Sequence, residues 1–269
     1  MRETTYHITG VPRIALLSDL HNRESSPIFD SLQAHKLDMI FIAGDFIYGT
    51  WPEDNQSPLE TQENVLPFFR ACASLAPTFM SLGNHEKMLD STDLAAITAT
   101  GVTVLDNSWV EKDGVVIAGL TSGYVTDYRR FRATQGGAER YPKKEDLSGI
   151  GGAVTASQHR PETAWLEEFA AASPNSTHIL MSHHPEYLPL VPDAVDLVLS
   201  GHAHGGQVRL FNPIKREWRG LWSPGQGFFP RWTRGVYERN RLVVSAGLSN
   251  TARVPRICNP CEIVYLESP

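Results

Sequence analysis

A chain of 269 residues, 41% hydrophobic and 20% charged, is long enough to bury a sizeable core and is predicted to form one domain over residues 1–269. Lys and Arg number 24 against 30 Asp and Glu, a formal net charge of −6, which excludes a bulk nucleic-acid binder of the basic-patch kind. Three cysteines, Cys72, Cys258 and Cys261, exclude a disulfide framework and point to a reduced, cytoplasmic setting, and no apolar run approaches the roughly 20 residues of a membrane span.

In chain order, residues 1–10 lack an apolar signal core, and residues 14–17 read as a short apolar strand ending in Ser18-Asp19-Leu20-His21. Residues 26–36 read as a helix, 39–43 as a strand ending in Gly44-Asp45, and 58–76 as a helix with a break or kink at Pro67. A strand at 78–82 runs into Gly83-Asn84-His85-Glu86, which also reads as a turn with Asn84 as the N-cap of a helical segment through Met88 and Leu89. A helix at 92–100, strands at 102–105 and 115–119, and a helix at 161–172 with Trp165, Phe169 and Ala172 on one face come next. Strands at 178–181 and 195–199 end in Ser182-His183-His184-Pro185 and Gly201-His202-Ala203-His204, and strands at 241–246 and 262–267 close the chain. So many strands in this length predict an α/β fold with two packed mixed sheets flanked by helices.

Five polar clusters thus follow five strands, and in α/β sheets the rim beyond the strand ends is where ligands bind. Carboxylate, amide oxygen and imidazole, with no thiolate, form the donor set for two divalent ions; Mn, Fe and Zn fit it and Ca alone does not. Asp19 and His21, like His202 and His204, are two residues apart, a spacing that puts both side chains on one side of an extended segment. Asp45 offers two oxygens and so can bridge cations about 3.5–4 Å apart.

The five runs, in this order, resemble the calcineurin-like metallophosphoesterase family. The resemblance covers most of the chain, and Gly201 to Gln207, Gly235-Val236-Tyr237, Ser245 to Leu248, Pro255-Arg256 and Glu262-Ile263 resemble a bacterial phosphodiesterase branch of it. It implies one metal held by Asp19, His21, Asp45 and His204 and a second held by Asp45, Asn84, His183 and His202, with His85 as the catalytic imidazole. It further implies hydrolysis of a phosphate ester, a diester before others, by a hydroxide that bridges the two cations. Arg256 matches an arginine of the branch and is a candidate phosphate contact; Arg23, beside His21, is a weaker one. The branch reads Ser-His-Asn-Pro where this chain has His184, and Gly-Leu-Gly where it has Gly247-Leu248-Ser249, so the choice of His183 over His184 rests on alignment alone. Relatives of the branch often carry a leader or anchor.

Two stretches lack clear periodicity and are the expected seats of substrate choice. Residues 121–160 carry Tyr124, Tyr128, Arg129, Arg130, Phe131, Arg132, Tyr141, Lys143 and Lys144; a solvated loop and a phosphate-facing lid are equally compatible with them. Residues 211–232 carry Phe211, Trp218, Trp222, Phe228, Phe229 and Trp232, and are read first as a flap covering the core, second as a grip on a lipid-linked substrate or a peripheral membrane contact. Resemblance to enzymes with apolar lids adds a second activity, pyrophosphate cleavage in a UDP-diacylglucosamine-type lipid. A catalytically inactive metal-binding scaffold is the reading of another class, and the filled ligand positions weigh against it. The lone Cys258-Asn259-Pro260-Cys261 run has no second pair to make a zinc site.

Overall fold

The short apolar strands alternate their side chains between two different interiors. In the computed structural model, which describes residues 1–49, 57–134, 159–214, 216–250 and 254–269, Ile14 and Leu16 enter one apolar cluster while Ala15 and Leu17 enter another. Phe41 and Ile42 divide in the same way, as do Ile179 and Leu180. Strands buried on both faces carry continuous apolar runs, which is why these segments stand out in the sequence.

The elements are β1 (Arg2–His7), β2 (Ile14–Leu17), α1 (Ser26–Ala34), β3 (Met39–Ala43), α2 (Pro58–Thr61), α3 (Val65–Leu75), β4 (Thr78–Ser81) and α4 (Ser91–Thr98). There follow β5 (Thr103–Leu105), β6 (Ser108–Lys112), β7 (Val115–Leu120), α5 (Gly123–Thr134), α6 (Leu166–Ala171), β8 (Thr177–Ser182) and β9 (Leu197–Ser200). The chain ends with β10 (Arg209–Asn212), β11 (Glu217–Gly220), β12 (Trp222–Ser223), β13 (Gly227–Phe228), β14 (Gly235–Tyr237), β15 (Leu242–Val244) and β16 (Glu262–Glu267).

Two mixed six-stranded sheets form, ordered β1-β16-β2-β3-β4-β5 and β14-β15-β9-β8-β7-β6. In the first, β2 to β5 run parallel; in the second, β7, β8, β9 and β15 do. Phe41, Phe79, Ile117, Met181 and Leu199 fill the interior between the sheets. The outer face of the first sheet packs on α1, α3 and α4 through Ile28, Phe68, Phe69 and Ile97; that of the second packs on α6 through Leu166 and Phe169. This is the predicted architecture, and it brings the C-terminal ends of β2, β3, β4, β8 and β9 to one rim. No helix of the described residues is long and apolar enough to cross a membrane.

Several boundaries differ from expectation. The predicted helix 58–76 divides into α2 and α3 at residues 62–64, where Asn64 donates its backbone N–H to Asn22 Oδ1 and its side-chain amide to Asn22 O, each at 3.0 Å. Pro67 breaks nothing: it occupies the third position of α3, where a backbone N–H has no partner within the helix. The helix predicted over 161–172 shortens to α6, while Trp165 just before it stacks on Trp109 with centroids 6.0 Å apart. Strands β1 and β6 were not predicted; both are half-exposed edges without the continuous apolar run of a strand buried on both faces. Residues 123–134 of the aperiodic stretch 121–160 form helix α5, whereas Tyr141, Lys143 and Lys144 lie outside the described residues.

Candidate metal centre

Three of the five polar clusters leave their strands through left-handed turns. Asp19, His21, Asp45, His202 and His204 have φ of 55°, 50°, 55°, 64° and 45°, a left-handed region that costs a non-glycine residue on the order of 1–3 kcal/mol where the surroundings must enforce it. The side chains of Asp19 and His21 do converge, but through these turns and not by the extended alternation expected of an i, i+2 pair. The loops are tied to one another: Asp19 N–H donates to Gly44 O at 3.1 Å, His21 N–H to Asp45 O at 3.2 Å and Gly201 N–H to His183 O at 3.1 Å. Glycine is required where they touch, since a Cβ on Gly83 would stand 2.3 Å from Asp45 Oδ1 and one on Gly201 2.6 Å from Ser18 Cβ.

All seven predicted ligand residues reach this rim. His204 Nε2 lies 3.5 Å and His21 Nε2 3.8 Å from Asp19 Oδ1, and these three residues offer atoms within 4.8 Å of one another. Asp45, His183 and His202 form a second such group, with His183 Nε2 3.0 Å from Asp45 Oδ2. Asn84 occupies the N-cap position of the 3₁₀ turn His85–Met88, as predicted, but its side chain makes no capping bond. Its Oδ1 is instead buried without a hydrogen-bond partner, as are Asp19 Oδ1, His21 Nε2 and His202 Nε2. Buried polar atoms are ordinarily satisfied, and buried charges ordinarily paired or bound to metal, so four orphaned oxygen and nitrogen atoms at the two buried carboxylates fit a cation-binding site. His184 turns away from Asp45, its Nε2 within 2.8 Å of Ser122 Oγ and its Nδ1 3.2 Å from Glu186 Oε1. Glu186 Oε1 also stands 3.7 Å from His202 Nε2, and His184, Glu186 and His202 make a further group of metal-binding residue types.

The surrounding hydrogen bonds set ring orientation. His183 Nδ1 bonds Ala43 O at 2.6 Å and His21 Nδ1 bonds Ile47 O at 3.2 Å, so both rings donate through Nδ1 and turn Nε2 inward. His85 is reversed: its Nδ1 accepts from Gly49 N–H at 2.7 Å, leaving the neutral ring's proton on Nε2, 3.8 Å from Asp45 Oδ2. Burial pulls His21 down to about 3, and the same effect opposes protonation of His183, but there the Asp45 charge prevails and lifts the ring to about 10. Burial opposes ionisation of Asp45 as well, yet the imidazoles of His183, His85 and His21 hold its carboxyl well below the usual range.

Sequence reasoning left Glu86 and Asn259 without roles. The buried Glu86 carboxylate accepts backbone N–H groups from Gly83 at 2.7 Å and Asp45 at 2.8 Å on Oε2, and from Phe46 at 3.1 Å and Ile47 at 3.3 Å on Oε1. Asn259, inside the Cys-x-x-Cys run, donates its amide to His204 O at 2.6 Å and Gln207 O at 3.2 Å, while the cysteines stay free. Ser249, standing where the branch has glycine, donates its hydroxyl to Asp19 O at 2.9 Å. A buried acid three residues after Gly83 was the available signal for Glu86; nothing local marked Asn259.

The two predicted phosphate contacts are placed differently. Arg23 is exposed and lines a cleft of about 370 Å³ with His21, Asn22, Tyr48, Thr61 and Gln62. Arg256 is turned onto the protein, Nη1 donating to Ala246 O at 2.6 Å and Nη2 to Ser249 O at 2.5 Å and His204 Nδ1 at 3.0 Å. The preferred flap reading of residues 211–232 is overturned: Trp232 is buried, but Phe211, Trp218, Trp222, Phe228 and Phe229 are exposed.

The profile of a family described as Calcineurin-like phosphoesterase matches residues 12–206. The chain is 25% identical over 97% of its length to UDP-2,3-diacylglucosamine pyrophosphatase LpxG of Chlamydia trachomatis, covering 84% of that protein. It is 28% identical over 83% of its length to Phosphodiesterase YaeI of Escherichia coli, covering 74% of that protein. Against the uncharacterised metallophosphoesterase Cj0846 of Campylobacter jejuni the identity is 27% over 94% of this chain and 56% of that one.

Proposed function

Because the chain belongs to the calcineurin-like phosphoesterase family, hydrolases of phosphate esters that work with two divalent metal ions, we propose that it is a phosphodiesterase whose seven convergent side chains hold those ions. Asp19, His21, Asp45 and His204 would hold one, and Asp45, Asn84, His183 and His202 the other, with Asp45 common to both. The observation that carries this is the set of four buried ligand atoms without partners, Asp19 Oδ1, His21 Nε2, Asn84 Oδ1 and His202 Nε2, all at the rim where the two sheets end. Their nitrogen and oxygen chemistry suits Mn, Fe or Zn. When bound, such ions lower the pKa of water to make a nucleophile and neutralise charge on phosphoryl oxygens.

The chain's own residues supply the remainder. His85 presents Nε2–H at the rim and donates to the departing oxygen. His204 offers Nε2 as a ligand only when its proton moves to Nδ1, which Arg256 must then release; the freed Nη2 of the guanidinium suits a phosphoryl oxygen. Arg23, in the open cleft beside His21, is the weaker candidate for a contact with the substrate phosphate. Glu186 orients His184 and His202 between them. We treat residues 1–269 as one domain, since β1 and β16, the first and last strands, pair in one sheet. The free cysteines suit a reducing, cytoplasmic compartment.

A second reading, pyrophosphate cleavage in a lipid-linked nucleotide, is favoured by the exposed aromatics beside the His202 and His204 loop and by the LpxG relative. Metal analysis combined with assays on bis(p-nitrophenyl) phosphate, p-nitrophenyl phosphate and a UDP-sugar lipid separates these. Two metals per chain, turnover lost on chelation and restored by Mn²⁺, and a preference for the diester support the proposal. Undiminished hydrolysis by metal-free protein refutes it, and exclusive action on the diphosphate replaces it with the second reading.

A further inference from the structure

Seven of the twelve exposed large hydrophobic residues among the described residues fall between positions 210 and 229. They ride on two hairpins, β10–β11 and β12–β13, that belong to neither six-stranded sheet. Phe211 faces Trp218 across the first hairpin with ring centroids 5.4 Å apart, and Trp222 faces Phe228 across the second. Phe228 and Phe229 are each 71% exposed and Ile214, at the first hairpin's turn, 91%. Cross-strand aromatic pairs of this kind usually lie against a core; here they lie against solvent.

Charge gathers on the same segment. Residues 209–239 hold seven Lys or Arg and two Glu, a surplus of five positive charges in a chain whose formal net charge is −6. Arg216, Arg219 and Arg231 are exposed on or just beyond the hairpins, Arg219 paired with Glu217 and Arg231 with Glu238 at 2.6 Å each, and the Arg231 guanidinium lies 4.7 Å from the Trp232 ring. Exposed Trp and Phe interspersed with Arg match the water–lipid boundary of an anionic bilayer, where rings enter the headgroup layer and cations meet lipid phosphates. The acidic remainder of the chain would be repelled by that surface, which leaves one face able to dock.

We infer that the β10–β13 hairpins form a docking surface for an anionic phospholipid bilayer. Docking there sets the bilayer beside the metal rim, because Leu221 N–H donates to Gly206 O at 3.1 Å and Phe229 N–H to Leu221 O at 2.8 Å, tying both hairpins to the turn that carries His204. The inference goes beyond hydrolysis and is read without turnover, so either can fail alone.

The test is co-sedimentation of the full metal-loaded chain with vesicles of phosphatidylcholine alone and of phosphatidylcholine with phosphatidylglycerol. Binding to the phosphatidylglycerol vesicles alone is expected, weakening as salt rises. The triple change Trp222→Ala, Phe228→Ala and Phe229→Ala should abolish it, and Arg216→Gln should lower affinity about fivefold, both with bis(p-nitrophenyl) phosphate hydrolysis unchanged as the check on folding. Absence of binding by the unmutated chain, or binding indifferent to the triple change, overturns the inference. So does a dimer in light scattering that the triple variant returns to monomer, which would mean that a second copy covers the surface.

Discussion

Glu86→Gln is the perturbation whose cost the hydrogen-bond geometry defines most closely. The carboxylate is completely buried and each of its oxygens takes two backbone N–H groups, Gly83 and Asp45 on one, Phe46 and Ile47 on the other. Burial, with the neighbouring Asp45 charge, pushes its carboxyl up to about 8, and the Asp45 and Ile47 N–H donors, with the His183 ring, oppose that shift. Glutamine keeps the shape and one oxygen, but in either orientation its NH₂ meets two N–H donors that lose their acceptor. A buried donor left unsatisfied costs about 1–3 kcal/mol, so the change should cost about 2–6 kcal/mol, a large part of the roughly 5–15 kcal/mol that holds a domain folded. At about 2–4 °C per kcal/mol for a chain of this size, the melting temperature should fall by roughly 4–24 °C. The same N–H groups seat Asp45 and the turn before Asn84, so metal content should fall with stability even well below the melting point. Thermal denaturation followed by circular dichroism, with metal analysis of the purified variant, reads both. A variant that melts with the parent and retains both metals would show that Glu86 does not hold these loops together.

Asp45→Asn replaces a charged two-oxygen donor by a neutral one, and should lower bound metal below two per chain and abolish turnover; full activity with two metals removes Asp45 from the centre. His85→Ala should keep both metals and lose little on a p-nitrophenyl ester but about 10²–10⁴-fold on an alkyl diester, whose leaving oxygen needs the proton; equal losses would mean that the ring acts on phosphoryl charge and not as the acid. Arg256→Gln should lower kcat/KM for the diester through a raised KM, by about 10–100-fold for a lost charge-assisted contact of about 1.5–3 kcal/mol, with metal content intact. Loss of metal with KM unchanged would instead assign Arg256 to holding His204.

What the chain shows without its fold is the chemistry of the rim. Strands buried on both faces need continuous apolar runs, so β2, β3, β4, β8 and β9 announce themselves, and the polar residues that must follow them, Asp19, Asp45, Asn84, His183 and His202, are found by position. Local punctuation is legible only in part. Pro67 looks like a breaker because its ring is incompatible with a helix interior, yet it sits in a first turn, and that depends on Asn22 reaching across the fold to end α2 at residues 62–64. Edge strands β1 and β6 bury too little to impose a pattern.

Tertiary structure decided matters set by residues distant in sequence. The choice of His183 over its neighbour as the ring facing Asp45 follows from Ala43 and Ser122, which capture His183 Nδ1 and His184 Nε2 from opposite sides. The left-handed turns that aim Asp19, His21 and His204 are enforced by bonds to Gly44, Asp45, Ser249 and Asn259, contributed by three separate stretches of chain. Whether residues 211–229 face inward is likewise invisible in their composition, because Trp and Phe carry the same apolar surface in either setting. Only the placement of β10–β13 outside both sheets leaves Phe228 and Phe229 with water where a core would be.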